Sequence, residues 1–195
     1  GACTTAAAEG WASGNVQLLH GNQYELGEDS RTIATGELAW GWAYGDGFAF
    51  VDVTHPEGGD TESYGEIGPR FSFYQMAGHE GKGVVKDVLL ALQAEIGEED
   101  YRTYLAGLGL SVDIPGFSFF NLNIYHRDNP DLDGSTYQIS PSWHYPFTLG
   151  STRWSVGGFL DYAGSEGVSA RNWLFVPQIL YDLGAHWGQP DVLSI

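Results

Sequence analysis

Apolar and polar side chains alternate with a period of two through one short segment after another, and clusters of turn-forming residues divide the segments. In Tyr64–Tyr74, Ile67, Phe71 and Phe73 share one face while Glu66, Arg70 and Ser72 share the other. In Phe117–His126, Phe120, Leu122 and Ile124 oppose Asn121, Asn123 and Tyr125. Trp154, Val156 and Leu160 oppose Arg153 and Ser155, and Leu38, Trp40 and Trp42 oppose Glu37. A pleated strand turns successive side chains to opposite faces, so this period predicts two-sided strands rather than helices. The strands expected are Trp11–Gly21, Thr32–Ala43, Gly47–Val53, Tyr64–Met76, Val84–Ile96, Tyr101–Asp113, Phe117–His126, Ser135–Tyr145, Thr152–Asp161 and Arg171–Asp182, with a further one beginning at Val192. Only Val84–Glu95 reads equally well as a helix, because Val84-Val85 and Val88-Leu89-Leu90 suit both periods. The 28 glycines beside 7 Trp, 11 Tyr and 10 Phe in 195 residues suit strands and tight turns.

Alternation does not name the solvent on either face, but the connections do separate into two sets. Every second one (Asn22–Arg31, Thr54–Ser63, Gly97–Asp100, Arg127–Gly134, Tyr162–Ser169) belongs to a group that holds 13 of the 25 acidic residues. The intervening ones (Tyr44–Gly47, Ala77–Gly83, Ile114–Gly116, Tyr145–Ser151, Leu183–Asp191) hold 3. In an up-and-down meander alternate connections lie at one end, so one end is acidic and the other nearly neutral. Segments of this length match strands tilted across a bilayer, which need about 9–11 residues each. Trp11, Trp40, Trp42, Tyr44, Trp143, Trp154, Trp173 and Trp187 fall mostly near segment ends, where a membrane interface favours amphipathic rings. The expected fold is therefore all-β: an antiparallel, up-and-down transmembrane β-barrel of the Gram-negative outer membrane, its acidic end external. It occupies residues 11–195 as one domain, and residues 1–10, ending in small residues around Ala6-Ala7-Ala8, read as a signal-peptide remnant or a flexible terminus.

A formal net charge of −17 leaves no basic stripe to neutralise phosphates and excludes a nucleic-acid partner. One cysteine, Cys3, rules out a disulfide framework and a cysteine zinc site. No apolar run approaches the roughly 20 residues of a membrane-spanning helix. No phosphate loop, nucleophile elbow or His-Glu-x-x-His motif is present, and His20, His126 and His144 form no recognisable ligand set, so neither an enzyme nor a cofactor or metal is expected. Parity instead places Glu37, Asp52, Glu66, Arg70, Asp87, Gln93, Glu95, Asn121, Asn123, Tyr125, Gln138 and His144 on the inner face, with Phe48 and Phe50 on the parity of Asp52. In a narrow lumen such groups replace a polar solute's hydration while aromatic faces stack on flat rings. Glu66 and Arg70, four residues apart and on one face, are expected to pair and to brace the wall or touch a solute.

The stretch Glu66-Ile67-Gly68-Pro69-Arg70-Phe71-Ser72 resembles the Tsx-type nucleoside-specific channels of Gram-negative outer membranes, which carry an E-I-x-P-R-F-S run on an early strand. Further pieces follow the family's order: Thr32 with Glu37, then Phe48-Ala49-Phe50-Val51-Asp52, Gly107-Leu108-Gly109 with Asp113 and Pro115, Asn123-Ile124-Tyr125, Tyr137-Gln138-Ile139 and Tyr145-Pro146. The resemblance spans roughly Trp11 to Tyr181 and implies a monomeric, twelve-stranded barrel in outer-membrane lipid that passes nucleosides. Ten strands are visible here, and the chain departs from the family in stopping inside an eleventh and in lacking an aromatic end at Ile195, so a C-terminal truncation is expected. Two other readings of the residues are a barrel with a plugged lumen, structural or receptor-like, and a secreted soluble β-sheet protein that binds carbohydrate through exposed aromatics.

Overall fold

The computed structural model describes residues 10–23 and 29–195; Cys3, the remainder of the N-terminal segment and part of the first acidic connection lie outside the described residues. Ten antiparallel strands follow one another in chain order: β1 (Trp11–Asn22), β2 (Ser30–Trp42), β3 (Gly45–Pro56), β4 (Glu62–Ser72), β5 (Val85–Gly97), β6 (Arg102–Val112), β7 (Phe119–Asp128), β8 (Thr136–Leu149), β9 (Thr152–Ala163) and β10 (Asn172–Tyr181). They form one sheet in which each strand pairs with its chain neighbours alone. The all-β, up-and-down expectation is met, and alternate connections do share an end.

The differences from the expected segments are local. The fourth strand stops at Ser72, whose Oγ accepts the Gln75 amide at 2.9 Å and starts the single helical turn α1 (Phe73–Met76). The ambiguous Val84–Glu95 becomes a strand because its alternate positions meet small partners: Leu89 faces Gly109 and Ala91 faces Gly107. β8 runs on past Pro146 to Leu149, so the expected connection Tyr145–Ser151 shrinks to a tight turn at Gly150 and Ser151. Asp46 moves from a turn into β3. Pro69 and Pro141 sit where the β4–β5 and β8–β9 ladders skip residue pairs, as the missing N–H requires. The segment expected from Val192 makes an isolated bridge, Ser194 to Asp182, with Ile195 hydrogen-bonded to Tyr181 in both directions at 2.7 and 3.0 Å.

The register fixes the two faces, because paired residues lie on the same side of the sheet. One side carries Gly14, Val16 and Leu18 of β1; Leu38 and Trp40 of β2; Ala49, Val51 and Val53 of β3; Leu108 of β6; Ile124 of β7; Trp143 of β8; and Phe175 and Ile179 of β10. Between the rims none of the described Asp, Glu, Lys or Arg residues lies on this side. The other side carries Gln17, Glu37, Asp52, Glu66, Glu95, Tyr125, Gln138 and Gln178. The sheet curls around this polar side as a half-barrel, and Gln178 Nε2 of β10 donates to Gln17 Oε1 of β1 at 3.3 Å. No backbone ladder joins those two strands among the described residues. The apolar side is therefore outermost, and Val16 is 86% exposed on it.

Aromatic contacts mark the outer rim at the neutral end: Trp42 meets Phe71 edge-on with centroids 5.5 Å apart, and Trp154 lies 4.8 Å from Tyr181. Where inner side chains must pass close to a neighbouring backbone, glycine stands. A Cβ on Gly107 would come within 1.9 Å of the Ile124 carbonyl oxygen. Gly107→Val is thus expected to break the β6–β7 ladder and to destabilise the chain by more than about 2 kcal/mol, read as a lowered guanidinium midpoint of tryptophan fluorescence in detergent micelles.

Candidate functional site

The inner face holds every residue that parity assigns to it, but the partners are set by register across strands rather than by spacing along one. Arg70 does not pair with Glu66. It stands directly opposite Asp46 on β3, and the two form a bidentate pair, Nε to Oδ1 and Nη2 to Oδ2, both at 2.7 Å. Glu66 lies two pleats away along β4, and its oxygens accept from Tyr64 OH at 2.6 Å and Gln93 Nε2 at 2.7 Å. The guanidinium takes the carboxylate facing it because cross-strand neighbours are closer than same-face residues of one strand.

Four more of the assigned residues, Glu37, Asp52, Asp87 and Asn121, are tied across strands in the same way. Glu37 accepts from Asn15 Nδ2 at 2.7 Å and Asp52 from Thr35 Oγ1 at 2.6 Å. Asp87 accepts from Ser72 Oγ at 2.8 Å, and Asn121 Oδ1 from Ser111 Oγ at 3.0 Å. Asn123 faces Gly109, and Tyr125, 3% exposed, faces Gly107. His144 stacks on Phe119, with ring planes 18° apart. Phe48 and Phe50 stand 6.2 Å apart, centroid to centroid.

The centre of the wall is a charged knot that the parity assignment only partly contains. Arg127 grips both oxygens of Glu95, Nη2 to Oε2 at 2.8 Å and Nη1 to Oε1. The same guanidinium donates to Gln138 Oε1 at 2.7 Å and to Tyr101 OH at 3.1 Å, and that hydroxyl donates onward to Glu95 Oε2 at 3.0 Å. Gln138 Nε2 reaches Ser140 Oγ at 3.1 Å, which donates to Asp161 Oδ1 at 2.5 Å. The chain of bonds thus runs from β5 to β9. Glu95 is 4% and Gln138 2% exposed. In the loop between β5 and β6, burial raises the Tyr101 hydroxyl above its ordinary range, which keeps it a donor.

Arg127, Asp46, Tyr64, Tyr101 and Asp161 complete the site and escape the inner-face assignment. Arg127 and Asp46 sit at strand ends taken for connections, although the parity of Tyr125 extends to Arg127 two residues on. With Tyr64 and Tyr101 a file of rings becomes visible: Phe48, Phe50, Tyr64 and Tyr101, with successive centroids 6.2, 5.9 and 6.4 Å apart. It climbs the inner face from mid-wall to the acidic end, flanked by Asp52, Glu66 and Glu95. Flat faces beside acceptors suit a solute with a ring and hydroxyls.

Among the described residues no group of three or more His, Cys, Asp or Glu is placed to hold a metal ion. No protein-family model matches the chain, and neither a curated protein nor a solved structure is significantly similar to it.

Removing Arg127 strands a carboxylate that is almost wholly enclosed, and such losses cost about 3–5 kcal/mol. Arg127→Ala is expected to lower stability by that order, whereas Arg127→Leu with Glu95→Gln recovers most of it. Chemical denaturation of the three proteins in one detergent checks this.

Proposed function

We propose that the chain forms the wall of a bacterial outer-membrane β-barrel that lets small, neutral, ring-bearing polar solutes diffuse through, with nucleosides the leading class. The observation that carries the reading is the inversion of the sheet. Its polar face lies inside the curl and is hydrogen-bonded there, while its apolar face has no second layer against it among the described residues and carries aromatic rings at the rim. Lipid chains are the solvent that such an outer face suits, and strands of 10 to 14 residues are long enough to cross them when tilted. The file of rings beside carboxylate and amide acceptors supports the choice of solute, as does the resemblance of the Glu66–Ser72 stretch to nucleoside channels. The acidic rim repels anions and so favours nucleosides over nucleotides.

A second reading has one specific observation behind it. The knot around Arg127 fills the inner face from β5 to β9 with satisfied bonds, which is how a plugged, structural barrel would brace itself. Conductance separates the two: the channel reading expects ion current from purified, reconstituted protein, and the plugged reading expects none.

Two measurements test the proposal. Tryptophan fluorescence in vesicles of brominated phosphatidylcholine is expected to be strongly quenched, since Trp40, Trp143 and Trp173 lie on the outer face; unquenched emission would remove lipid from the account. In liposome swelling, adenosine is expected to enter several-fold faster than its monophosphate, and equal rates would sink the charge selection.

A further inference from the structure

The ring file ends at a residue whose placement the wall does not explain by itself. Tyr101 lies in the connection between β5 and β6, where Glu99 and Asp100 both take left-handed backbone conformations, φ 53° and 64°. Such conformations are costly for residues with side chains and persist only where surrounding bonds hold them. Here the turn is closed by Gly97 N donating to Tyr101 O at 3.0 Å and by Tyr101 N donating to Glu98 O at 2.9 Å. Glu98 in turn accepts from Ser63 N at 2.9 Å, which ties this turn to the β3–β4 hairpin. The result swings the Tyr101 ring over the inner face, 6.4 Å from Tyr64 and inclined at 45° to it. Gly97 makes room beneath both rings: a Cβ there would lie 3.3 Å from Tyr101 Cδ1 and 3.6 Å from Tyr64 Cδ2. Between the two hairpins opens a groove of about 430 Å³, with both tyrosines in its lining. Each residue is half-buried, so each keeps part of its surface open where the groove is lined.

We propose that Tyr101 determines specificity at the acidic mouth: with Tyr64 it walls a groove in which a solute with a flat ring is first held, ring against ring, before passing to Phe50 and Phe48. This rests on the channel reading above and adds to it a residue and a step. The backbone bonds of the turn place the ring over the inner face, and the ring itself makes the choice of solute, while the hydroxyl's bonds to Glu95 and Arg127 belong to the wall.

The test compares the flux of uridine with that of ribose in proteoliposome swelling, for the unaltered chain, Tyr101→Phe and Tyr101→Leu, each first shown to give a compact, heat-modifiable band. Leucine keeps much of the bulk without the ring, so it separates stacking from pore width. The uridine-to-ribose ratio is expected to stay within about twofold in Tyr101→Phe and to fall about fivefold or more in Tyr101→Leu, the low end of what a base loses with its stacking partner. A ratio that survives Tyr101→Leu overturns the assignment and leaves the channel reading standing. A ratio that falls as far in Tyr101→Phe gives the role to the hydroxyl and also overturns it. An unaltered chain with no preference for uridine removes both.

Discussion

The pleat of a β-sheet obliges each strand to present two faces, and this chain settles them in the reverse of the usual order. The buried apolar side chains are Leu89, Ala91, Leu105, Tyr125 and Ala163, whereas the buried polar ones include Thr35, Arg70, Ser72, Glu95, Thr103, Gln138 and Asp182. A sheet in water would turn Val16, Leu108, Ile124 and Phe175 toward a second layer, and no second layer exists among the described residues. Backbone ladders satisfy the main chain strand by strand, so the curl can be maintained without an oily core. What then holds the inside is a set of polar bonds, and what covers the outside is set by the solvent. Stability that comes from packing in an ordinary sandwich has to come here from hydrogen bonding and from the medium.

Such an interior is demanding, because a buried guanidinium or carboxylate without its partners costs far more than an ordinary lost contact. The register meets the demand by facing opposite charges across strands or over one intervening strand. Asp46 stands opposite Arg70, and Arg127, which faces Leu105 on β6, reaches across that strand to Glu95, which faces Thr103. Each of the wall carboxylates accepts at least one donor from a neighbouring side chain. Bonds that run from β5 to β9 also oppose opening of the curl, since parting β5 from β7 or β7 from β8 breaks bonds of the Arg127 guanidinium.

Most of this architecture was legible from alternation alone. Period two located ten strands, and it separated Phe48, Asp52, Glu66 and Tyr125 from Ile67, Leu122 and Val156 without any tertiary information. Strand ends were less legible, for a proline such as Pro146 reads as a stop although it is tolerated where its missing N–H leaves no gap in a needed ladder. The partners were not legible. Glu66 and Arg70 look like a pair because they are close in sequence, yet pairing in a sheet is decided by which residue the adjacent strand brings opposite, and that depends on turn lengths a few residues either way. Arg127 is lost by the same uncertainty at the end of β7, and Tyr101, expected as the first residue of a strand, falls in the turn before Arg102, where parity has no meaning.

The separation of charge between rim and wall has a consequence for any solute that moves along the inside. Carboxylates of the wall are matched to donors within a few ångströms, so their fields are largely local. Those of the acidic connections, Glu57, Asp60, Glu99 and Asp131 among them, stand in solvent without such matching, and their summed field extends over about 8 Å at physiological salt. In the channel proposed above, a charged solute would be sorted before it meets the wall, and the wall would be left to sort by shape and by hydrogen-bonding pattern. Rings along one side and fixed acceptors beside them discriminate between neutral molecules of similar size, something a diffuse negative potential does poorly. In that proposed channel the acidic end and the inner face would carry different parts of recognition, and the alternation that separates the faces is what would let one short sequence encode both.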